Sequence, residues 1–412
     1  MEQYPDSYYV ASLNKDKKSY PSLNGDLSCD LCVVGGGFTG LSTAIEAAKK
    51  GLDVILLEQN LIAWGASGRN GGQIWPDVAW GIDIIEKNYG LDFAKQIWDV
   101  SLKAVNLIDQ RIEEFNIECD KKNGGIHAAT STSKMKEYEE DRIYKIKNYG
   151  YDKLEVLDKE EVKKEIGSPL YYGGILDYGA GHLHPLKYAI GLMDSAQSLG
   201  VRLYENSTVE RINEDKDNVE VLLTAGKVNA KSMAICCNAY LEGFNMRFEN
   251  RVMPCETYIV CTENLNSSLQ EQVLPNNYCV TDTNFDLNYY RLSASKRMIF
   301  GGAVGYSLKN VEGLKKRTKR QLDKVFPQLS SLKIDYIWGG LIALTMNRVP
   351  DIGMESEKIF YAQGFSGHGV GLTGMAGKIL AESIVNGRTA EIELFEKVKH
   401  RKFPGGRLFR MP

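Results

Sequence analysis

The chain has 412 residues, 43% hydrophobic and 25% charged, which is enough apolar material for two domains with full cores and excludes a disordered chain. Fifty Lys and Arg against 53 Asp and Glu leave a net charge of −3, so no broad basic surface invites nucleic acid or anionic lipid. Eight cysteines in a chain this long do not make a disulfide scaffold, and free thiols in a soluble, cytoplasmic protein are expected.

Residues 1–27 read as a polar N-terminal arm without an apolar signal core, and nowhere does an apolar run approach the ~20 residues that would span a bilayer. Residues 29–40, Cys-Asp-Leu-Cys-Val-Val-Gly-Gly-Gly-Phe-Thr-Gly, carry a buried-strand pattern into Gly35, Gly37 and Gly40. The first glycine permits a tight turn, the second lets backbone approach a pyrophosphate, and the third lets helix pack on strand. Leu41, Ala44, Ile45 and Ala48 then repeat at helical spacing up to Gly51, so a positive helix end points at the turn. A second strand, Val54 to Leu57, ends at Glu58, 18 positions after Gly40 and near the spacing of an acid that binds a ribose hydroxyl. The bland alternative for Glu58 is a solvated strand-end carboxylate. Cys29 and Cys32 have thioredoxin spacing, but on a strand they point to opposite faces and form no dithiol.

This unit predicts a dinucleotide without separating FAD from NAD, because both present the same adenosine and pyrophosphate. Residues 64–73, Trp-Gly-Ala-Ser-Gly-Arg-Asn-Gly-Gly-Gln, are too glycine-rich for a helix and carry one cation with several amide and hydroxyl donors. They form a loop that lies against something flat and polar. The nucleotide-binding unit and this loop occupy 28–85. Residues 86–167 are charged and helical, with Phe93, Ile97, Val100, Ala104, Leu107, Ile108, Ile112 and Phe115 on one stripe, and read as a cap. Residues 168–240 return to the nucleotide fold. Within them His182 and His184 fall short of a metal-ligand set, and Pro185 favours a loop before a helix.

From 241 to 338, alternation around Thr257 to Cys261, Tyr289 to Leu292 and Arg297 to Phe300 predicts antiparallel strands of a substrate domain. The lysine run at 315–320 reads as one solvated helix face. Residues 339–398 come back to the cofactor through Gly367, His368 and Gly369, a second glycine-rich helix start followed by Leu372, Met375, Ala376, Ile379 and Leu380. Residues 399–412 are left as a tail.

The blocks 33–41, 65–72, 181–186, 289–292 and 363–370 resemble the D-amino-acid oxidase and sarcosine oxidase superfamily of FAD-dependent amine oxidoreductases. The closing residues 403–407, Phe-Pro-Gly-Gly-Arg, resemble its gamma-glutamylputrescine-oxidising subfamily. The resemblance implies an α/β fold: a Rossmann-like FAD-binding domain of the GR2 type with an antiparallel-sheet α+β substrate domain. It brings Gly35, Gly37, Phe38, Thr39, Gly40, Glu58, Gln59, Ser67, Gly68, Arg69, Asn70, Gly71, Gly72, Gln73, Val209, Gly367, His368, Gly369 and Val370 to the cofactor. Some relatives bind flavin through a cysteine six positions before a proline. Here that position before Pro350 is Leu344, and noncovalent FAD is expected.

For chemistry, the turn at 366–370 supplies a helix N-terminus near the pyrimidine ring, with Arg69 and His368 as charged or donor groups, or else as a salt-bridge and a structural partner. Tyr289 and Arg291 share one strand face and Tyr290 the other. Arg291 is the candidate fork for a substrate carboxylate, or else a surface arginine. Trp75, Trp80 and Trp338 line an amine cage or fill core. The resulting expectation is oxidative deamination of a small-molecule amine, a gamma-glutamylated diamine, with molecular oxygen as acceptor and peroxide as product. Alternatives left open are a sarcosine, glycine or D-amino-acid type oxidase or dehydrogenase, and a flavin-binding protein without turnover.

Overall fold

The computed structural model describes residues 4–13, 18–241, 243–244, 246–284, 287–305 and 311–404. Parts of the expected arm (1–3 and 14–17) and of the expected tail, including most of the 403–407 motif, lie outside the described residues.

Two sheets organise the chain. The first runs in the order Asp351–Met354, Ile359–Gln363, Gly226–Ile235, Gly25–Val34, Val54–Leu57, Arg202–Tyr204. Four of the five pairings in that order are parallel, and the central strands read as continuous apolar runs because both faces are covered. One face carries the helices Phe38–Lys49, Pro185–Ser198 and Gly369–Asn386. The other carries an antiparallel meander, Val209–Glu214 and Val219–Leu223 running into Gly226–Ile235, whose Val219, Val221 and Val228 meet Cys32, Ile55 and Leu57.

Helices Phe38–Lys49 and Gly369–Asn386 touch backbone to backbone: a Cβ on Gly377 would stand 2.7 Å from the carbonyl oxygen of Thr39. The helix Leu91–Glu114 packs on the same layer. Its Arg111, 1% exposed, donates from Nη1 to Ser42 Oγ at 2.6 Å and from Nη2 to Glu46 Oε1 at 3.0 Å. The apolar stripe of this helix therefore packs against the helix layer of the first sheet. Its period was legible, but the partner of its apolar face was not.

The second sheet runs Ile334–Thr345, Val252–Asn264, Arg297–Gly305, Tyr289–Leu292, Cys279–Asp282, Lys122–Ala129, Gly173–His182, Gln73–Ile74, with Leu154–Leu157 beside Gly173–His182. All its pairings are antiparallel except Cys279–Asp282 with Lys122–Ala129. The expected boundaries shift accordingly. Gln73–Ile74, Gly173–His182 and Ile334–Thr345 all pair in this sheet, so the chain crosses between the sheets more often than its composition signals.

Alternation along Tyr289–Leu292 holds. Tyr290 stacks on Phe300 at 5.5 Å in the core beneath the sheet, and Tyr289 and Arg291 face the loop at 65–73. The N-terminal arm is also more than a polar lead: Tyr8 and Tyr9 are buried, and the Tyr9 hydroxyl donates to the carbonyl oxygen of Asn70 at 2.8 Å. Among the described residues, no helix is long and apolar enough to cross a membrane.

Candidate active site and cofactor cleft

The first glycine turn is fixed by steric necessity. Gly35 has φ +107°, and a Cβ there would stand 2.7 Å from the carbonyl oxygen of Cys236. A Cβ on Gly37 would meet Ser67 Oγ at 2.8 Å, the same hydroxyl oxygen that accepts from the Phe38 N–H at 2.8 Å. A Cβ on Gly40 would fall 1.9 Å from the carbonyl oxygen of Gly35. Helix Phe38–Lys49 therefore starts hard against the strand, with Ser67 from the next loop satisfying one of its first N–H groups.

Glu58 closes the second strand. Its Oε2 accepts from Gly36 N–H at 2.7 Å and its Oε1 from Asn60 N–H at 2.9 Å, and burial raises its pKa. The carboxylate is thus held in place at the end of the turn.

These groups open on a cavity of about 470 Å³. Gly35, Gly37, Phe38, Thr39, Glu58, Gln59, Ser67, Asn70 and Val209 line it from one side, and Ser366, Gly367, Gly369 and Val370 from the other. The two glycine-rich segments, more than 300 positions apart in the chain, meet around one space. Helix Gly369–Asn386 presents its N-terminal turn there through Gly369, Val370 and Thr373. Trp64, which opens the predicted loop, lines it too; sequence reasoning did not find Tyr240 or residues 341–343, which also line the cavity and arrive through the fold. Cys236, Cys237 and Asn238 line it as well, and Asn238 Oδ1 accepts from Gly364 N–H at 2.9 Å.

The remaining expected residues surround this space without lining it. Gly68 is a packing glycine, its Cβ position 2.1 Å from the carbonyl oxygen of Ala63. Arg69 lies over the Trp64 ring at 4.4 Å and donates to the carbonyl oxygens of Trp64 and of Gly339, so it ties the loop to the second sheet. Tyr289 lays its ring against Gly71, whose Cβ position is 2.9 Å away. Gln73 donates to the carbonyl oxygens of Val280 and Tyr290 and accepts from Trp75 Nε1 at 3.0 Å.

His368 precedes the second helix. Burial lowers its pKa to about 4, and its Nδ1 has no partner among the described residues. It lies near His127, a residue sequence reasoning missed, whose ring packs on Trp75 at 4.0 Å and whose pKa burial lowers to about 3.

Arg291 departs most from expectation. Its Nε donates to the carbonyl oxygen of Gly71 at 2.7 Å and its Nη2 to the Tyr9 hydroxyl at 3.1 Å, beside Gly72. Those two donors use up the side-on fork through Nε and Nη2, and the residue lines a cavity separate from the first. Of the tryptophans, Trp75 and Trp338 are core, and Trp338 Nε1 donates to the carbonyl oxygen of Arg69 at 2.8 Å.

Residues 30–383 match the FAD dependent oxidoreductase family. The chain is 40% identical to the gamma-glutamylputrescine oxidoreductase of Escherichia coli (strain K12), covering 100% of this chain and 96% of that protein. It is 38% identical to a probable oxidoreductase of Haemophilus influenzae, covering 99% and 94%. Among solved structures, its fold is similar to L-proline dehydrogenase from P. horikoshii (TM-score 0.76, 21% identity, 92% and 100% covered). Glycine oxidase from Geobacillus kaustophilus is similar as well (TM-score 0.75, 20% identity, 91% and 100% covered). With the match spanning most of the chain and the two glycine turns meeting around one cleft, the chain belongs to the FAD dependent oxidoreductase family.

Proposed function

We propose that this enzyme oxidatively deaminates gamma-glutamylputrescine, releasing the aminoaldehyde and ammonia, with noncovalently bound FAD and with oxygen as the acceptor that becomes hydrogen peroxide. The observation that carries the reading is end-to-end similarity to the Escherichia coli enzyme of that name. In a cleft of this shape, the adenosine half of FAD would be held by Glu58, Gln59 and Val209, and its pyrophosphate by the turn before helix Phe38–Lys49. Its ring end would be held by the 64–70 loop and the N-terminus of helix Gly369–Asn386. FAD supplies the two-electron acceptor.

The chain's own part is positioning and charge. Oriented N–H groups and the dipole of helix Gly369–Asn386 favour negative charge where they point, and Arg69 adds a fixed cation nearby. His127 and His368 are both neutral at pH 7, so neither repels a cationic diamine chain. The amine loses its carbon–hydrogen bond with two electrons to the acceptor and a nitrogen-bound proton to water, and a second water hydrolyses the resulting imine to aldehyde and ammonia.

Noncovalent binding is supported by the two cysteines in the cleft. Burial pushes the Cys236 thiol up to about 12 and the Cys237 thiol higher still, which leaves both protonated and poor nucleophiles. All eight cysteines are free, which fits a cytoplasmic setting.

The test is anaerobic mixing with gamma-glutamylputrescine, putrescine, sarcosine and glycine. Bleaching of the flavin band by the first and not the others is expected; bleaching by glycine or sarcosine alone, or by none, overturns the substrate. Acid precipitation should leave all the yellow colour in the supernatant, and colour retained in the pellet overturns noncovalent attachment. Peroxide should appear in step with aldehyde in air.

A further inference from the structure

A second cavity, about 280 Å³, lies behind the 65–73 loop and is lined by Asp120, Lys122, His182, His184, Asn277 and Arg291 among others. Arg291 is 3% exposed, and its partners among the described residues are the Gly71 and Leu292 carbonyl oxygens and the Tyr9 hydroxyl, none of them charged. A guanidinium taken out of water without a counter-ion is costly, and here its weakest bond, from Nη1 to Leu292 at 3.4 Å, is the one left for another acceptor.

The rim does not supply the missing charge. Asp120 is paired with Lys187 at 2.8 Å and Lys121 with Asp109 at 2.5 Å, so these cancel, while Lys122 is exposed and forms no ion pair among the described residues. The cavity thus keeps two uncompensated positive charges, Arg291 at its floor and Lys122 at its mouth.

The wall adds one acceptor. His182, 1% exposed, bonds through Nε2 to the carbonyl oxygen of Asn277 at 2.8 Å. A carbonyl only accepts, so Nε2 carries the proton and Nδ1 a lone pair, and that buried Nδ1 has no partner among the described residues. His184 cannot stand in for it: its Nδ1 accepts from Lys187 N–H at 3.1 Å and its Nε2 bonds Ser12 Oγ at 3.0 Å.

We propose that this cavity binds a small anion bearing a hydrogen-bond donor beside its negative charge, an α-amino carboxylate or monohydrogen phosphate, with the anion on Arg291 and Lys122 and the donor on His182 Nδ1. Because Arg291 also holds Gly71, an occupant braces the loop that borders the cofactor cleft. The site is independent of the substrate proposed above.

The test is calorimetric titration of the FAD-loaded enzyme, without amine substrate, using L-glutamate, inorganic phosphate and nitrate in turn. Either glutamate or phosphate should bind, and whichever does identifies the source; nitrate, which carries no donor, should bind at least about tenfold more weakly. Lys122→Glu, an exposed substitution that leaves the core intact, should weaken binding about tenfold or more, and His182→Phe should abolish the preference over nitrate. Absence of heat with both glutamate and phosphate, equal binding by wild type and Lys122→Glu, or nitrate binding as well as the others each overturns the proposal. Flavin content and amine turnover, measured on the same samples, keep this outcome separate from failure of the proposed reaction.

Discussion

The two helix starts that meet at the cofactor cleft use glycine for opposite reasons. At Gly35, Gly37 and Gly40 a side chain would collide with the protein itself, with Cβ positions 2.7, 2.8 and 1.9 Å from Cys236, Ser67 and Gly35. At Gly367 nothing lies within 4 Å of a Cβ, and at Gly369 the nearest atom is 3.5 Å away. Here glycine serves a dihedral, φ +97° at Gly367, and leaves open space. The first start is a packed joint and the second an open lip, so the first should fail by unfolding and the second by strain.

Gly40→Ala tests the packed joint most severely. Its methyl would strike the backbone carbonyl of Gly35, which cannot swing aside as a side chain can, and crowd Val33, so a loss of about 3 kcal/mol or more is expected, with no FAD retained. Thermal unfolding and flavin content measure both. A variant that stays yellow with an unchanged melting temperature breaks the distinction. Gly367→Ala should cost about 1–2 kcal/mol from the positive φ alone and keep one FAD per chain. Equal damage by the two substitutions would show that the open lip is packed after all. Ser67→Ala removes the acceptor of the Phe38 N–H and couples the loop to the first helix more loosely. About 1 kcal/mol, or a roughly fivefold weaker FAD affinity by flavin-fluorescence titration, is expected.

The same contrast explains what could be read from the chain. The packed joint is local: strand, glycines, helix, strand and Glu58 lie within 30 positions, and each pattern reports a contact inside that unit. The second start was legible as a helix, but much of the wall facing it was not, because Tyr240 and residues 341–343 are ordinary in sequence and meet only through the crossover between the sheets. Periodicity showed which face of Leu91–Glu114 is apolar but not that it covers the nucleotide-binding layer. Alternation likewise gave the face of Arg291. What lies opposite, the Gly71 carbonyl and Tyr9 from the far end of the chain, is set by tertiary packing, and it leaves the residue lining a second cavity.

The smallest expected effect is the most diagnostic for the lip. Burial lowers the His368 pKa from 6.5 to about 4, so between those values the unfolded chain binds a proton that the folded protein refuses. The contribution to stability is complete above about pH 6.5 and drains away as pH falls toward 4. His127, lowered to about 3, interacts with His368 and acts with the same sign, so His368→Gln should remove only part of the acid slope in denaturation measured between pH 7 and pH 4.5. The rate profile gives the sharper reading. A ring that stays neutral down to about pH 4 contributes no ionisation to kcat between pH 5 and 8, and the variant's profile should differ in height but not in shape. An acid limb near pH 6.5 that disappears in His368→Gln would mean that the ring is charged during turnover. The lip would then stabilise negative charge with a cation as well as with the helix N-terminus.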